Sequence, residues 1–155
     1  MLGRPFMPLL TSYNPINRAP LGDVPITEPA DMPAVIISAK KAQKLWAALS
    51  LTQRQQKVVQ AYEELTAVED QLALLISKEM GKDYRRASYE VGGTVQNADY
   101  FTREIAQALQ SESMGRNGEI QYRPLGVVAV ISPWNYPLAM ANNLLLPALV
   151  AGNSV

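Results

Sequence analysis

Pro124-Leu-Gly-Val-Val-Ala-Val-Ile-Ser-Pro-Trp-Asn-Tyr-Pro137 decides how the rest of the chain is read. Its first half, Gly126 to Ile131, is apolar on both faces and does not alternate. That pattern predicts a strand of a parallel sheet, covered by helices on both sides. The run ends in Ser132-Pro133-Trp134-Asn135-Tyr136-Pro137, where two prolines fix two φ angles and remove two N–H donors around one carboxamide. An open α/β sheet builds its ligand site at the carboxyl end of such a strand. From these residues alone, a stiff strand-to-helix loop with no further role is an equal alternative.

Downstream, Leu138 to Ala151 is apolar nearly all round, which predicts a buried helix with Pro147 as a kink and Gly152 as its stop. Asn153-Ser154-Val155 then starts something extended. Strand, turn, helix and the beginning of a strand make a βαβ unit cut off before its second strand. The expectation is an α/β fold in a chain that is the N-terminal part of a longer protein.

Upstream, residues 1–33 are rich in proline and read as an extended arm. It has turns at Asn14-Pro15 and Leu21-Gly22-Asp23 and short strands near Phe6–Leu10 and Val24–Ile26. Asp31 is placed to cap a helix whose apolar face is Val35, Ala39, Ala42, Trp46 and Leu49, with Trp46 as a core anchor. Thr52-Gln53-Arg54-Gln55 fits a capping box, opening a helix with Val58, Val59, Tyr62 and Leu65 inside. After a break near Thr66, helix continues from Ala67 to Met80, with Leu72, Leu75 and Ile76 inside and Gly81 as the stop. A long helix follows from Tyr84 to Leu109, striped by Ala87, Val91, Val95, Ala98, Thr102, Ile105 and Leu109. Gly92-Gly93 inside it reads as close helix packing. No strand precedes it and no Gly-Lys-Ser/Thr follows, so a phosphate loop is disfavoured. Asn117-Gly118 predicts a hairpin turn after the polar stretch Ser111–Glu119, and Ile120 to Arg123 alternates as a strand. The organisation is therefore an arm over 1–33, a helical block over 34–109, a hairpin arm over 110–123 and the truncated βαβ unit over 124–155.

Composition narrows the function. Lys plus Arg and Asp plus Glu are equal at 14 each, so no basic surplus points to nucleic acid. The chain has no Cys and no His, which excludes disulfides, Cys/His zinc sites, thiol nucleophiles and histidine bases within it; no metal site is expected. No secretory signal is apparent at the start. The apolar region from Leu125 to Val155 is interrupted by Pro133, Asn135, Pro137, Asn142, Asn143 and Pro147, against a membrane span.

The pattern Pro-x-Gly-Val-Val-x-x-Ile-x-Pro-Trp-Asn-x-Pro-Leu, followed by Pro-Ala-Leu-x-Ala-Gly-Asn-x-Val, resembles the aldehyde dehydrogenase superfamily. Asn14-Pro15, Lys78-Glu79-Met80-Gly81-Lys82, Glu90-Val91 and Tyr100-Phe101 resemble other elements of its first third, although Arg18-Ala19-Pro20 departs from the family arm. The resemblance implies the N-terminal part of a Rossmann-like cofactor domain: a helical block, a hairpin arm and an incomplete βαβ unit. It implies NAD or NADP as cofactor, a small-molecule aldehyde as substrate, a homo-oligomer when full length, and a cytoplasmic protein. Asn135 matches the asparagine that holds the oxyanion of a cysteine thiohemiacetal. Ile131, Ser132, Pro133 and Trp134 match the strip lining the nicotinamide side of the cofactor cleft. The family's nucleophilic cysteine, nicotinamide loop and catalytic glutamate have no counterpart here, so the 155-residue chain alone is expected to be inactive. The alternative is a non-catalytic truncated protein with an interaction or structural role.

Overall fold

A computed structural model describes residues 8–155. The arm is a hairpin in which β1 (Leu9–Tyr13) runs antiparallel to β2 (Pro20–Pro25), from Leu9 opposite Pro25 to a bulge after Ser12. Asx turns close it: Asn14 Oδ1 accepts the Ile16 N–H at 2.8 Å, and Asn17 Oδ1 accepts the Ala19 N–H at 3.0 Å. The expected turn at Leu21-Gly22-Asp23 is instead the body of β2, where the Thr11 hydroxyl donates to Asp23 across the pair at 2.6 Å. Prolines at both ends of this strand are tolerated because it has an open edge. The strand expected from Phe6 begins outside the described residues.

A 3₁₀ turn, Pro29–Asp31, leads into α1 (Met32–Ala47), and Asp31 makes no capping hydrogen bond with its side chain. Helix α2 (Leu51–Thr66) is capped two residues earlier than the sequence suggests. Ser50 Oγ accepts the Gln53 N–H at 3.2 Å, and Gln53 Oε1 accepts the Ser50 N–H at 2.9 Å. Ser50–Gln53 and Thr52–Gln55 both have the required spacing, and the structure uses the first, which lengthens the helix by two residues. Helix α3 (Glu69–Met80) stops at Gly81, whose φ of +64° is the left-handed conformation of a helix terminus.

The expected long helix is two: α4 (Tyr84–Val95) and α5 (Ala98–Ala108). The break falls at Gln96-Asn97, where the Asn97 carboxamide donates to the Gly93 carbonyl at 2.9 Å and competes with the backbone ladder. The apolar stripe survives the break. Ala87, Val91, Val95, Ala98 and Thr102 are all buried. The glycine pair is not a close-packing device. A Cβ at Gly93 would meet nothing within 4 Å, and one at Gly92 only the Gln96 and Glu69 side chains.

A two-residue hairpin, β3 (Glu112–Ser113) with β4 (Glu119–Ile120), places Asn117-Gly118 at its tip, but the strand ends at Ile120 and not at Arg123. Helix α6 (Pro137–Val150) carries Pro147 within it and lies between two apolar clusters. One gathers Val58, Tyr62, Ala98, Ala106, Leu146 and Val150; the other gathers Ala73, Ile76, Ala87, Val91 and Val95, with Leu138 against it. Trp46 is half-buried on the first cluster, and its indole N–H donates to the Leu149 carbonyl at 2.7 Å. Leu75 is exposed, unlike its neighbours Ala73 and Ile76.

The doubly covered strand at Gly126–Ile131 does not form among the described residues. One parallel bridge joins Val127 to Ser154, with Val128 N–H donating to the Ser154 carbonyl at 2.9 Å and Ser154 N–H to the Gly126 carbonyl at 3.0 Å. Asn153 Oδ1 accepts the Gly126 N–H at 2.8 Å and locks the register. Ile131, at the other end, is 89% exposed. A parallel strand is stabilised by neighbours on its edges and helices on its faces, and here only its first residues have them. The topology, a strand start, α6 and a parallel strand start, is the βαβ order that the sequence predicts. No described helix is long and apolar enough to cross a membrane.

Candidate active site around Asn135

Asn135 lies in the loop just before α6, and its side chain is exposed. The loop reaches α6 through Tyr136, which has no side chain able to cap the helix, and Pro137, which has no N–H. The next two N–H groups, of Leu138 and Ala139, are orphans that any helix start must satisfy. They donate to the same oxygen, Glu90 Oε1, at 3.0 and 3.1 Å. Glu90 belongs to α4, so a carboxylate from another helix caps α6 and sits where the helix dipole favours negative charge.

Glu90 is buried, and a buried carboxylate needs a counter-charge. Lys82 supplies it through an ion pair with Glu90 Oε2. The ammonium also donates to the Asn135 backbone carbonyl at 2.8 Å and lies over the Tyr136 ring, 3.7 Å from its centroid. One cation thus grips the loop at two successive residues. The position of Lys82 is set by Gly81, whose left-handed turn reverses the chain after α3, and by the Ser77 hydroxyl donating to the Lys82 carbonyl at 2.7 Å.

An open cleft of about 970 Å³ lies over this arrangement, and its lining includes Lys82, Arg85, Arg86, Tyr89, Trp134, Asn135 and Tyr136. The structure therefore brings Trp134 and Asn135 into one cleft. Ile131, Ser132 and Pro133 lead into the loop and do not line the cleft. Ile131 and Pro133 are exposed, Ser132 is half-buried and Trp134 is 75% exposed. An uncharged amide donor beside an apolar, exposed strip can hold a polarised carbonyl oxygen next to a flat, weakly polar ring. The sequence reading reaches Lys82 and Glu90 only as parts of the family resemblance and gives them no role in the site. A signal for Glu90 exists: it stands between Ala87 and Val91 on a stripe that is otherwise buried and apolar. Among the described residues no cluster of acidic side chains is arranged to hold a metal ion.

Residues 8–155 match the family model described as Aldehyde dehydrogenase family. D-glyceraldehyde dehydrogenase (NADP(+)) of Picrophilus torridus is 33% identical over 150 residues, a match covering 94% of this chain and 30% of that protein. NADP-dependent glyceraldehyde-3-phosphate dehydrogenase of Streptococcus equinus is 32% identical over 152 residues, covering 92% and 32%. Among solved structures, NADP-dependent glyceraldehyde-3-phosphate dehydrogenase from Bacillus halodurans, complexed with NADP, superposes with a TM-score of 0.85 at 28% identity, covering 94% of this chain and 33% of that one. Lactaldehyde dehydrogenase from Escherichia coli superposes with a TM-score of 0.85 at 28% identity, covering 97% and 32%. The chain spans about 30% of the length of the curated relatives it matches. Its mixed α/β architecture is that of the N-terminal part of these proteins, and the chain belongs to the aldehyde dehydrogenase family.

Proposed function

We propose that this segment supplies the oxyanion donor and one wall of the cofactor cleft of an NAD(P)-dependent enzyme that oxidises an aldehyde to a carboxylate. The observation that carries the reading is the placement of Asn135. Its carboxamide projects from a loop held by a proline on each side and by Lys82 on its own carbonyl, at the head of α6. In the reaction the carbonyl oxygen of the substrate gains negative charge as a cysteine thiolate adds to carbon. A neutral amide N–H₂ donates to that oxygen without carrying a counter-charge of its own. Because the loop is restrained beforehand, little reorganisation is needed when the charge develops. The nucleophile is not in this chain, which contains no cysteine.

Ile131, Ser132, Pro133 and Trp134 would border the nicotinamide of NAD or NADP. They offer an uncharged surface, apolar and exposed at Ile131, Pro133 and Trp134, at the carboxyl end of the strand start, where α/β folds receive dinucleotides. The cofactor, when bound, supplies the hydride acceptor; the residues here orient it and shield one side of the reacting centre from water. The exposed hairpin of β3 and β4 would serve as a contact between subunits.

The test is Asn135→Ala in a family-length protein carrying this segment. The rate constant kcat for aldehyde oxidation should fall by about 10²–10³, the usual cost of one oxyanion donor, with cofactor binding unchanged. Full activity together with lowered stability would leave Asn135 as a loop residue only and overturn the assignment.

A further inference from the structure

We propose that Lys82 and Glu90 are positioning residues for the Asn135 carboxamide, forming a cross-helix clamp that fixes the head of α6 and the loop before it. This rests on the oxyanion role of Asn135 and extends it to two residues that act through the loop: Glu90, buried behind the cleft, and Lys82, which lines the cleft but has its ammonium committed to the loop and to Glu90.

Glu90 has both carboxylate oxygens occupied: Oε2 by Lys82, and Oε1 by the Leu138 and Ala139 N–H groups. Its side chain is fully buried, with 0% relative exposure. Three donors on a buried carboxylate that does not line the cleft argue against an acid–base role and for a structural anchor. Lys82 is equally committed. An ammonium has three N–H donors, and its partners here are Glu90, the Asn135 carbonyl and the Tyr136 ring. Each of those partners either belongs to the oxyanion loop or holds the helix that follows it.

The clamp also has a direction. Lys82 stands just after α3, Glu90 lies within α4, and Asn135 lies in the loop before α6. The Asn135 backbone is thereby tied to the α3–α4 pair, which packs around Ala73, Ile76, Ala87, Val91 and Val95. Without it, the first turn of α6 keeps the apolar contact of Leu138, and the loop before it loses the bond on the Asn135 carbonyl. Rotation of the loop would carry the carboxamide away from a fixed substrate oxygen, and displacements near 1 Å are enough to cost a reaction about 10²-fold.

The experiment is a double-mutant cycle in a family-length enzyme that carries this segment. Lys82→Met should lower kcat by about 10²-fold, with the KM for cofactor unchanged. Combined with Asn135→Ala, it should add less than about twofold to the loss from Asn135→Ala alone, because Lys82 acts through that side chain. Lys82→Arg should restore part of the rate, since a guanidinium can still pair with Glu90. Glu90→Gln, which keeps an acceptor for the α6 N–H groups but removes the counter-charge of Lys82, should show the same non-additivity and carries the cycle if Lys82→Met does not fold. Two results overturn the clamp: kcat within twofold of the parent in both Lys82→Met and Glu90→Gln, or losses that multiply with that of Asn135→Ala. An Asn135→Ala enzyme with full activity would instead sink the oxyanion reading beneath it.

Discussion

Replacing Arg54 by methionine should loosen the far end of α6, and the loss can be worked out from its bonds. Arg54 Nε donates to the Val150 carbonyl at 2.9 Å, Nη1 donates to the Leu49 carbonyl at 2.5 Å, and a longer contact reaches Ala47 at 3.4 Å. The Val150 carbonyl ends α6, where cations are favoured, and the Leu49 carbonyl lies in the turn between α1 and α2, so one guanidinium ties the end of α6 to that turn. Burial pulls the Arg54 pKa below its ordinary value, so the site costs some solvation and is held by those bonds. Hydrogen bonds to a charged group contribute about 1.5–3 kcal/mol each. Two good bonds give about 3–6 kcal/mol, and because the site is only half-buried, water recovers part of it. We expect about 3 kcal/mol. Urea unfolding at low concentration measures it. With a slope near 2 kcal/mol per molar, the midpoint should fall by about 1.5 M at unchanged slope. Trp46 reports the change locally, because its indole donates to Leu149 at the same helix end, and Trp134→Phe removes the other tryptophan signal. Arg54→Lys keeps the charge but not the planar fork and should lose about half as much. A loss below about 0.5 kcal/mol for Arg54→Met, in the range of ordinary surface substitutions, would refute this account of Arg54 as a tie between α6 and the α1–α2 turn.

Gly81→Ala should cost about 1–2 kcal/mol in the same assay, because the left-handed φ of +64° penalises a Cβ that would also sit 3.2 Å from Pro15 Cγ. An unchanged midpoint would mean that the α3 terminus relaxes freely. Burial raises the pKa of Tyr62, whose hydroxyl donates to Asn142 in the core, above its ordinary 10.0. The folded state therefore prefers the neutral phenol. The stability this gives is complete below pH 10.0 and is lost as pH rises from there through the higher folded pKa. Urea midpoints measured from about pH 9 upward, in steps of roughly half a unit, should fall more steeply for the parent than for Tyr62→Phe, and parallel curves would contradict the burial argument.

Most of the helical scaffold is legible in the sequence because its signals are local. The stripe from Ala87 to Thr102 declares its buried face through spacing alone, and Gly81 declares a terminus through its own conformational freedom. The break at Gln96-Asn97 is hidden for the same reason: Val95 to Ala98 to Thr102 keeps helical spacing, so nothing in the periodicity changes where the ladder opens. The feature found at the break is one side-chain bond from Asn97 to Gly93, which no periodicity announces. The strand at Gly126–Ile131 fails differently. Its apolar composition states what it needs on both faces, but a sheet is made by partners, and among the described residues only Ser154 is in place to pair with Val127.

The candidate site shows the boundary between local and long-range information most clearly. Two prolines flanking Asn135 are visible in a six-residue window, so the carboxamide can be singled out at once. The residues that hold it lie 53 and 48 positions away along the chain from the groups they bind, and no window contains both. Yet Glu90 violates its surroundings in a readable way. A carboxylate on an apolar stripe must either point out to water or find a cation and donors inside, since leaving it buried alone is prohibitive. The first option would leave α6 without an N-terminal cap, because Tyr136 and Pro137 cannot provide one. The misplaced acid and the uncapped helix are therefore two halves of one requirement. Taken together they pair Glu90 with the start of α6, and that pairing in turn demands a nearby cation, the place that Lys82 fills.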